Sequence, residues 1–370
     1  MRKAASTHPE ASYSATRTRR TWRPILALLV GAPFIAECVA SANTPTVVFL
    51  NPVVLTVLAM LYGGTALLLR EAWVRGRIGF VGALVWAGAF TALNEGVVSG
   101  VLFKADALGL PPEGLGRQSG TNWALVVDLS WFHGLFGLAV PIALAELTFP
   151  SQAARPWLRR RGITFCIAAV LLVGIAAILP KDGTSVPDLG PRLTTLAFVP
   201  IVAMLALWLP KRERVRRSTS IPSPRGLAFR GALLSFSYGL IFFGLPHLAP
   251  RLTVLAGITF VVPSIALLRR WTRSEMWSRR HAVWLIGGLL VPSMLVSLPR
   301  LAALQPVSTV AFALYLLWLA RRTPATEPAR PPSVDQDDSH PVLQAGGAPP
   351  VNSLGAQGTV GPEHESRTDA

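Results

Sequence analysis

The sequence has 370 residues, of which 51% are hydrophobic and only 15% are charged. A soluble domain carries about 25% charged residues, so this composition excludes a water-soluble globular protein. The net charge of +16 does not indicate a nucleic-acid partner, because the arginines cluster in short segments between apolar runs. The sequence also has no zinc-finger spacing, no Walker loop and no aromatic-basic platform.

Ten apolar runs, most of about 17–25 residues, predict an all-α polytopic bundle of transmembrane helices, because this length crosses the bilayer core. We expect the bundle to occupy residues 24–320, between a basic tail at 1–23 and a Pro-, Gly- and Ser-rich tail at 321–370. Neither tail has apolar periodicity, so both are predicted to be disordered. The predicted spans are 24–42, 47–69, 78–103, 123–147, 163–179, 193–209, 226–244, 252–268, 283–298 and 309–320.

The distribution of basic residues predicts the orientation of the bundle. If the N-terminus lies inside and the spans alternate, 29 of the 35 lysines and arginines fall on the inner side. This is the bias that the positive-inside rule describes. We therefore expect both termini in the cytoplasm and the chain in the bacterial cytoplasmic (inner) membrane, with the lipid bilayer as its main partner.

A second interpretation applies to the first apolar run. Arg19-Arg20, the apolar stretch and Ala40-Ser-Ala42 are also typical of a twin-arginine signal peptide. Glu37 and Pro33 within the stretch argue against cleavage, and the next span begins almost at once. We therefore favour a retained first helix.

Several polar residues lie inside the predicted spans, where ionisable groups are expensive and usually face a partner or a cavity. With about 1.5 Å of rise per residue, the predicted topology places Glu37, Glu95, Asp128 and His133 in the outer halves of the first four helices. Asn94 adjoins Glu95. Thr91 and Ser99 fall four residues before and after Glu95, so the three share one face of an α-helix. Asp128 and His133 are five residues apart and do not share a face.

The candidate binding site for a small polar or cationic ligand consists of Glu37, Asn94, Glu95, Asp128 and His133. Carboxylates and histidine also permit proton coupling. The favoured hypothesis is a transporter or permease-like protein. The alternatives are a membrane-embedded, hydrolase-like enzyme and a non-catalytic membrane component. No metal or other cofactor is predicted, because there is no H-E-x-x-H motif and Cys38 and Cys166 are far apart in the sequence.

Several short motifs resemble a family of uncharacterised bacterial multi-pass membrane proteins. They are Phe34-Ile-Ala-Glu37, Leu61-Tyr-Gly-Gly, Asn94-Glu-Gly96, Asn122-Trp123 with His133, and Pro141-Ile-Ala-Leu-Ala-Glu-Leu147. The resemblance covers roughly residues 30–162 and implies a multi-pass membrane protein without a known activity. Members of that family often carry Glu-Glu-Gly at the position of Asn94-Glu95-Gly96. A fainter similarity is to membrane-embedded CAAX-type proteases, which use a Glu-Glu pair, but here that pair is Asn94-Glu95.

Overall fold

The computed structural model describes residues 21–40, 45–180, 185–211, 218–297 and 305–323. The predicted disordered tails, apart from residues 21–23 and 321–323, lie outside the described residues, as does most of the Ala40-Ser-Ala42 motif. Within the described residues the protein is a helical membrane bundle. Its ten long helices are numbered α1 Trp22–Ala40, α2 Pro52–Val74, α3 Phe80–Val98, α4 Trp123–Thr148, α5 Arg160–Ala177, α6 Leu189–Trp208, α7 Pro224–Leu248, α8 Pro250–Thr272, α9 Arg279–Ser297 and α10 Gln305–Arg322. A short helix, Pro45–Phe49, precedes α2.

Eight of the described helices, α1 to α8, are long and apolar enough to cross a membrane. The two helices that follow, α9 and α10, occupy the positions of the ninth and tenth predicted spans. An α-helix satisfies its backbone hydrogen bonds within one segment, which is the condition for spanning hydrocarbon. Eight of the ten predicted spans thus correspond to helices with the length and composition to cross a membrane, and the last two correspond to helices that are not among these eight.

The first four helices form the centre of the bundle. In the apolar 18-residue stretch of each helix, between 44% and 61% of the residues are buried inside the protein for α1 to α4, against 11% to 28% for α5 to α8. The outward faces of α5 and α6 carry large apolar side chains such as Phe165, Leu172 and Phe198. These faces suit contact with lipid, whereas the polar residues of α1 to α4 lie in a protein interior.

A compact loop of residues 99–122 covers one end of α3 and α4. It contains a two-stranded hairpin, β1 Arg117–Gln118 paired with β2 Thr121–Asn122. The buried side chain of Asn122 fixes the loop: its amide donates to the carbonyls of Val101 and Lys104 at 3.2 and 2.7 Å, and its oxygen accepts from Arg117 at 3.0 Å. The loop therefore closes this end of the central helices with a satisfied polar anchor.

Helices α7 and α9 approach each other backbone to backbone. A methyl group at Gly288 would overlap the carbonyl of Ala228, while one at the neighbouring Gly287 would meet nothing within 4 Å. Small residues allow such approach in membrane bundles, where dispersion contacts drive helix association. The two adjacent glycines thus have different roles.

We expect the Gly288→Ala substitution to destabilise the protein by about 1–3 kcal/mol, because the added methyl group overpacks the α7–α9 contact. The matched Gly287→Ala variant should be neutral or slightly stabilising, since alanine is the better helix former. The thermal unfolding midpoint of each variant in detergent measures the difference. Equal midpoints for the two variants would contradict the proposed contact.

Candidate functional site

Each of the four central helices contains a π-helical segment, and each segment carries or adjoins a polar residue. A π segment inserts an extra residue into the helical turn and is frequent at functional sites. The segments are Phe34–Ala40 with Glu37, Ala59–Gly63 with Tyr62, Ala92–Val98 with Asn94 and Glu95, and His133–Ala139 with His133. The local backbone therefore departs from the regular helix where the polar side chains gather.

The centre of this group is a hydrogen-bonded pair formed by Glu95 of α3 and His133 of α4. Nε2 of His133 lies 2.8 Å from Oε1 of Glu95. The imidazole is 2% exposed and the carboxylate 15% exposed, so the pair is nearly removed from solvent while one side of Glu95 stays accessible. When Glu95 is ionised it can only accept, so Nε2 then donates this hydrogen bond.

Tyr62 and Asn94 connect the pair to α2. The Asn94 amide donates to the Tyr62 hydroxyl at 2.9 Å and to Oε1 of Glu95 at 3.1 Å. The same hydroxyl lies 3.4 Å from Nδ1 of His133. Glu37 of α1 also interacts with the Tyr62 hydroxyl. Since that hydroxyl has one proton to donate, Glu37 and Nδ1 compete for it.

Ser99 forms the other end of the group. Its hydroxyl donates to Oε2 of Glu95 at 2.7 Å. The carboxylate thus accepts hydrogen bonds on both oxygens, from Ser99 on one side and from His133 and Asn94 on the other. We call the six residues Glu37, Tyr62, Asn94, Glu95, Ser99 and His133 the Glu95–His133 cluster.

Aromatic rings enclose the imidazole of His133. The ring centroids of Phe132, Phe90 and Tyr62 lie 5.2, 5.5 and 5.6 Å from it. The first two are edge contacts with interplanar angles of 82° and 77°. These rings hold the imidazole in one orientation and exclude water, so its nitrogens face only the polar members of the cluster.

Asp128, which the sequence grouped with these residues by depth, is not brought into the cluster. Its carboxylate is buried, and neither oxygen makes a hydrogen bond of good geometry within the described residues. The hydroxyl of Tyr238 in α7 is placed toward it. Asp128 therefore contacts α7 and makes no hydrogen bond to His133, although Glu95 is near enough to act on its carboxylate electrostatically. Thr91 also turns away: its hydroxyl donates to the carbonyls of Ala87 and Leu129.

A second polar network lies at the opposite ends of the central helices. Arg70 is fully buried and pairs with Glu71 and Glu146, each at 3.2 Å. Its guanidinium lies 3.6 Å from the ring centre of Trp157. It also donates to the carbonyls of the loop that follows α4, those of Gln152, Ala153 and Arg155 at 3.2, 2.6 and 2.7 Å. Arg70, Glu71 and Glu146 lie at the ends of the predicted spans 47–69 and 123–147, and the structure buries Arg70 and Glu71 beneath this loop.

Tyr62 is not among the site residues that the sequence predicts. A tyrosine in an apolar run is ordinarily a packing residue, and only its position in the Leu61-Tyr-Gly-Gly motif set it apart. No three His, Cys, Asp or Glu side chains are placed to hold a metal ion within the ranges that the structure describes. The side chains of the Glu95–His133 cluster can donate and accept hydrogen bonds, carry charge and transfer protons.

Comparison with known proteins identifies a family. The model of an uncharacterised membrane protein family matches residues 25–326, and the chain belongs to that family. The match extends well beyond residues 30–162, where the motifs carry the resemblance. No curated protein and no solved structure matches the chain, and a similarity to CAAX-type proteases is not shown.

Proposed function

We propose that this member of the family is a proton-coupled, transporter-like protein of the bacterial cytoplasmic membrane, with the Glu95–His133 pair as its proton-carrying group. The observation that supports the proposal is the 2.8 Å contact between a nearly inaccessible imidazole and a partly accessible carboxylate. A small polar or cationic solute would engage Glu95 from its exposed side. Binding there competes with the imidazole for the carboxylate, which couples occupancy to protonation.

The hydrogen bonds of the cluster supply a route for the proton. When the imidazole is neutral, the Tyr62 hydroxyl can donate to Nδ1. When Nδ1 carries a proton, it donates to the Tyr62 oxygen, and the hydroxyl proton turns toward Glu37. Protonation of His133 is thereby transmitted from α4 through α2 to α1. The path links helices that a conformational change would move relative to one another.

The order of Ser99, Glu95 and His133 along the hydrogen bonds favours a proton-carrying role over that of a hydrolase. In a Ser-His-acid triad the imidazole stands between the nucleophile and the carboxylate and removes the proton of the serine. Here the carboxylate of Glu95 stands between Ser99 and His133. Ser99 is thus a hydrogen-bond donor to Glu95 and has no base on the imidazole side.

The test is infrared difference spectroscopy on the purified protein in proteoliposomes during a pH change. We expect a carboxylic-acid C=O band to appear and disappear with pH in the wild type. In Glu95→Gln, an isosteric variant that cannot ionise, this band should lose the largest component. The transient current on a pH step across a proteoliposome-coated electrode should fall in parallel.

The matched control is Glu113→Gln, which removes an exposed carboxylate from the loop between α3 and α4. Its spectrum and current should equal those of the wild type. Unaltered pH-dependent bands and currents in Glu95→Gln would overturn the proposal. Addition of Na⁺, K⁺ or ammonium to vesicles holding a proton gradient then identifies which small cations move protons.

A further inference from the structure

A large apolar groove opens on the side of the bundle beside the Glu95–His133 cluster. Its volume is about 870 Å³, within the range of small-molecule sites. The walls come from α2, α3 and α5 and from the segment that leads into α6. The residues that form them include Val53, Met60, Val98, Ala169, Ala176 and Val186. The groove is a slot for hydrocarbon and not a polar channel.

One charged side chain, Arg192 at the start of α6, lines this groove. Only 6% of the residue is exposed. Its two terminal nitrogens reach the carbonyls of Val97 and Ser99 at 3.2 and 3.5 Å, while Nε has no hydrogen-bond partner. No carboxylate of the described residues lies within ion-pairing distance of the guanidinium. A buried cation without an anion is costly, and among the described residues no carboxylate balances the charge of Arg192.

The backbone is shaped to admit this guanidinium. Gly100 has φ of +69°, which side chains with a Cβ rarely adopt, and any Cβ there would overlap Arg192. The first residues after α3 therefore fold around Arg192 and hold it against the groove. Such a fixed, planar cation suits bidentate binding of a phosphate or carboxylate.

The groove is open to the surroundings along α5. Phe165, Leu172 and Leu179 of its wall are 60%, 66% and 54% exposed. On a transmembrane helix these side chains face lipid. A hydrocarbon chain can enter from the side, and the predicted topology puts Arg192 at the outer surface, at head-group depth.

We propose that the groove binds one anionic lipid, with an acyl chain along α5 and the head-group phosphate on Arg192. Charge complementarity selects the head group and the apolar walls select the chain. Ser99 lines the same groove and donates to Glu95, so the bound head group lies next to the proton-carrying pair. The lipid site stands independently of the proposed function, because its ligands are outside the pair.

Native mass spectrometry of the detergent-purified protein measures the binding. We titrate phosphatidylglycerol and phosphatidylcholine with identical chains. The wild type should retain one phosphatidylglycerol about tenfold more tightly than phosphatidylcholine, the effect of one charge-assisted contact. Arg192→Gln should lose this preference and Arg192→Lys should keep part of it. Inorganic phosphate alone should not displace the lipid, since it lacks the chain.

A second pair of variants tests the groove without touching the arginine. Ala176→Trp fills the slot and should weaken both lipids, whereas Ile175→Trp, on the exposed face beside it and outside the lining, should weaken neither. Equal binding of the two lipids by the wild type would overturn the proposal. So would full phosphatidylglycerol binding by Ala176→Trp, even if Arg192→Gln failed to fold.

Discussion

The Arg70→Met variant should lose about 3–5 kcal/mol of stability, the usual cost of removing one partner from a buried ion pair. Arg70 is the only side chain among the described residues that joins Glu71, Glu146 and the carbonyls of the loop after α4 in one network. Methionine keeps the volume and the apolar stem but supplies no donors. The buried carboxylate of Glu71 would keep only Arg75 and the backbone N–H of Trp157.

The thermal unfolding midpoint, followed by tryptophan fluorescence in detergent, measures this loss. The fluorescence of Trp157 reports directly on the loss of this network, because its ring lies against the Arg70 guanidinium. The control is Arg77→Met, which removes an exposed arginine seven residues further along the chain and should change the midpoint little. An Arg70→Met protein as stable as the control would show that the network contributes nothing net to folding.

The second large effect concerns the Glu95–His133 pair. We expect His133→Ala to destabilise the protein by about 2–4 kcal/mol, because it removes a packed ring and leaves Oε1 of Glu95 with Asn94 as its remaining donor. Glu95→Ala should also destabilise, since the imidazole then loses its acceptor. If the contact is direct, the double variant should cost less than the sum of the single variants by about 1–3 kcal/mol.

A double-mutant cycle on unfolding midpoints in detergent provides this coupling energy. The reference cycle pairs His133→Ala with Glu113→Ala, whose carboxylate is exposed in the loop between α3 and α4, and it should be additive. Additivity in the Glu95 cycle as well would mean that Glu95 and His133 do not act as a unit in the folded protein. The same single variants should abolish the pH-step current, because neither retains a complete donor and acceptor pair.

Much of the bundle could be predicted from hydropathy alone. The apolar runs that predict helices near 47–69 and 123–147 correspond to α2 and α4, because a spanning helix is defined by its own composition. The relative height of two side chains could be predicted as well: the sequence places Glu95 and His133 at similar heights on neighbouring helices, and the structure has them in contact. Local sequence is sufficient for both properties.

Which side chains meet across the bundle could not be predicted in the same way. Asp128 has the same depth as its neighbours in the argument from sequence, yet it faces Tyr238, because rotation of a helix depends on packing against its neighbours. In the sequence, Arg192 lies in the connection between two predicted spans, where an arginine is ordinarily exposed. The fold around Gly100 buries it. The π segments could not be predicted from a periodicity of 3.6 residues per turn. They change the direction of every side chain beyond them.

The π segment in each central helix divides that helix into two parts. The side chains of the second part point in directions that a regular α-helix would not give them. One extra residue in a turn rotates everything beyond it by about 100° relative to a regular α-helix. In α3, the face that packs before Ala92 is thus uncoupled from the face that carries Glu95 after it. A one-residue deletion inside Ala92–Val98 would leave the first part of the helix in register and turn the second away from His133. A single inserted or deleted residue in such a segment therefore reassigns which side chains enter the site, while the part of the helix before it keeps its packing.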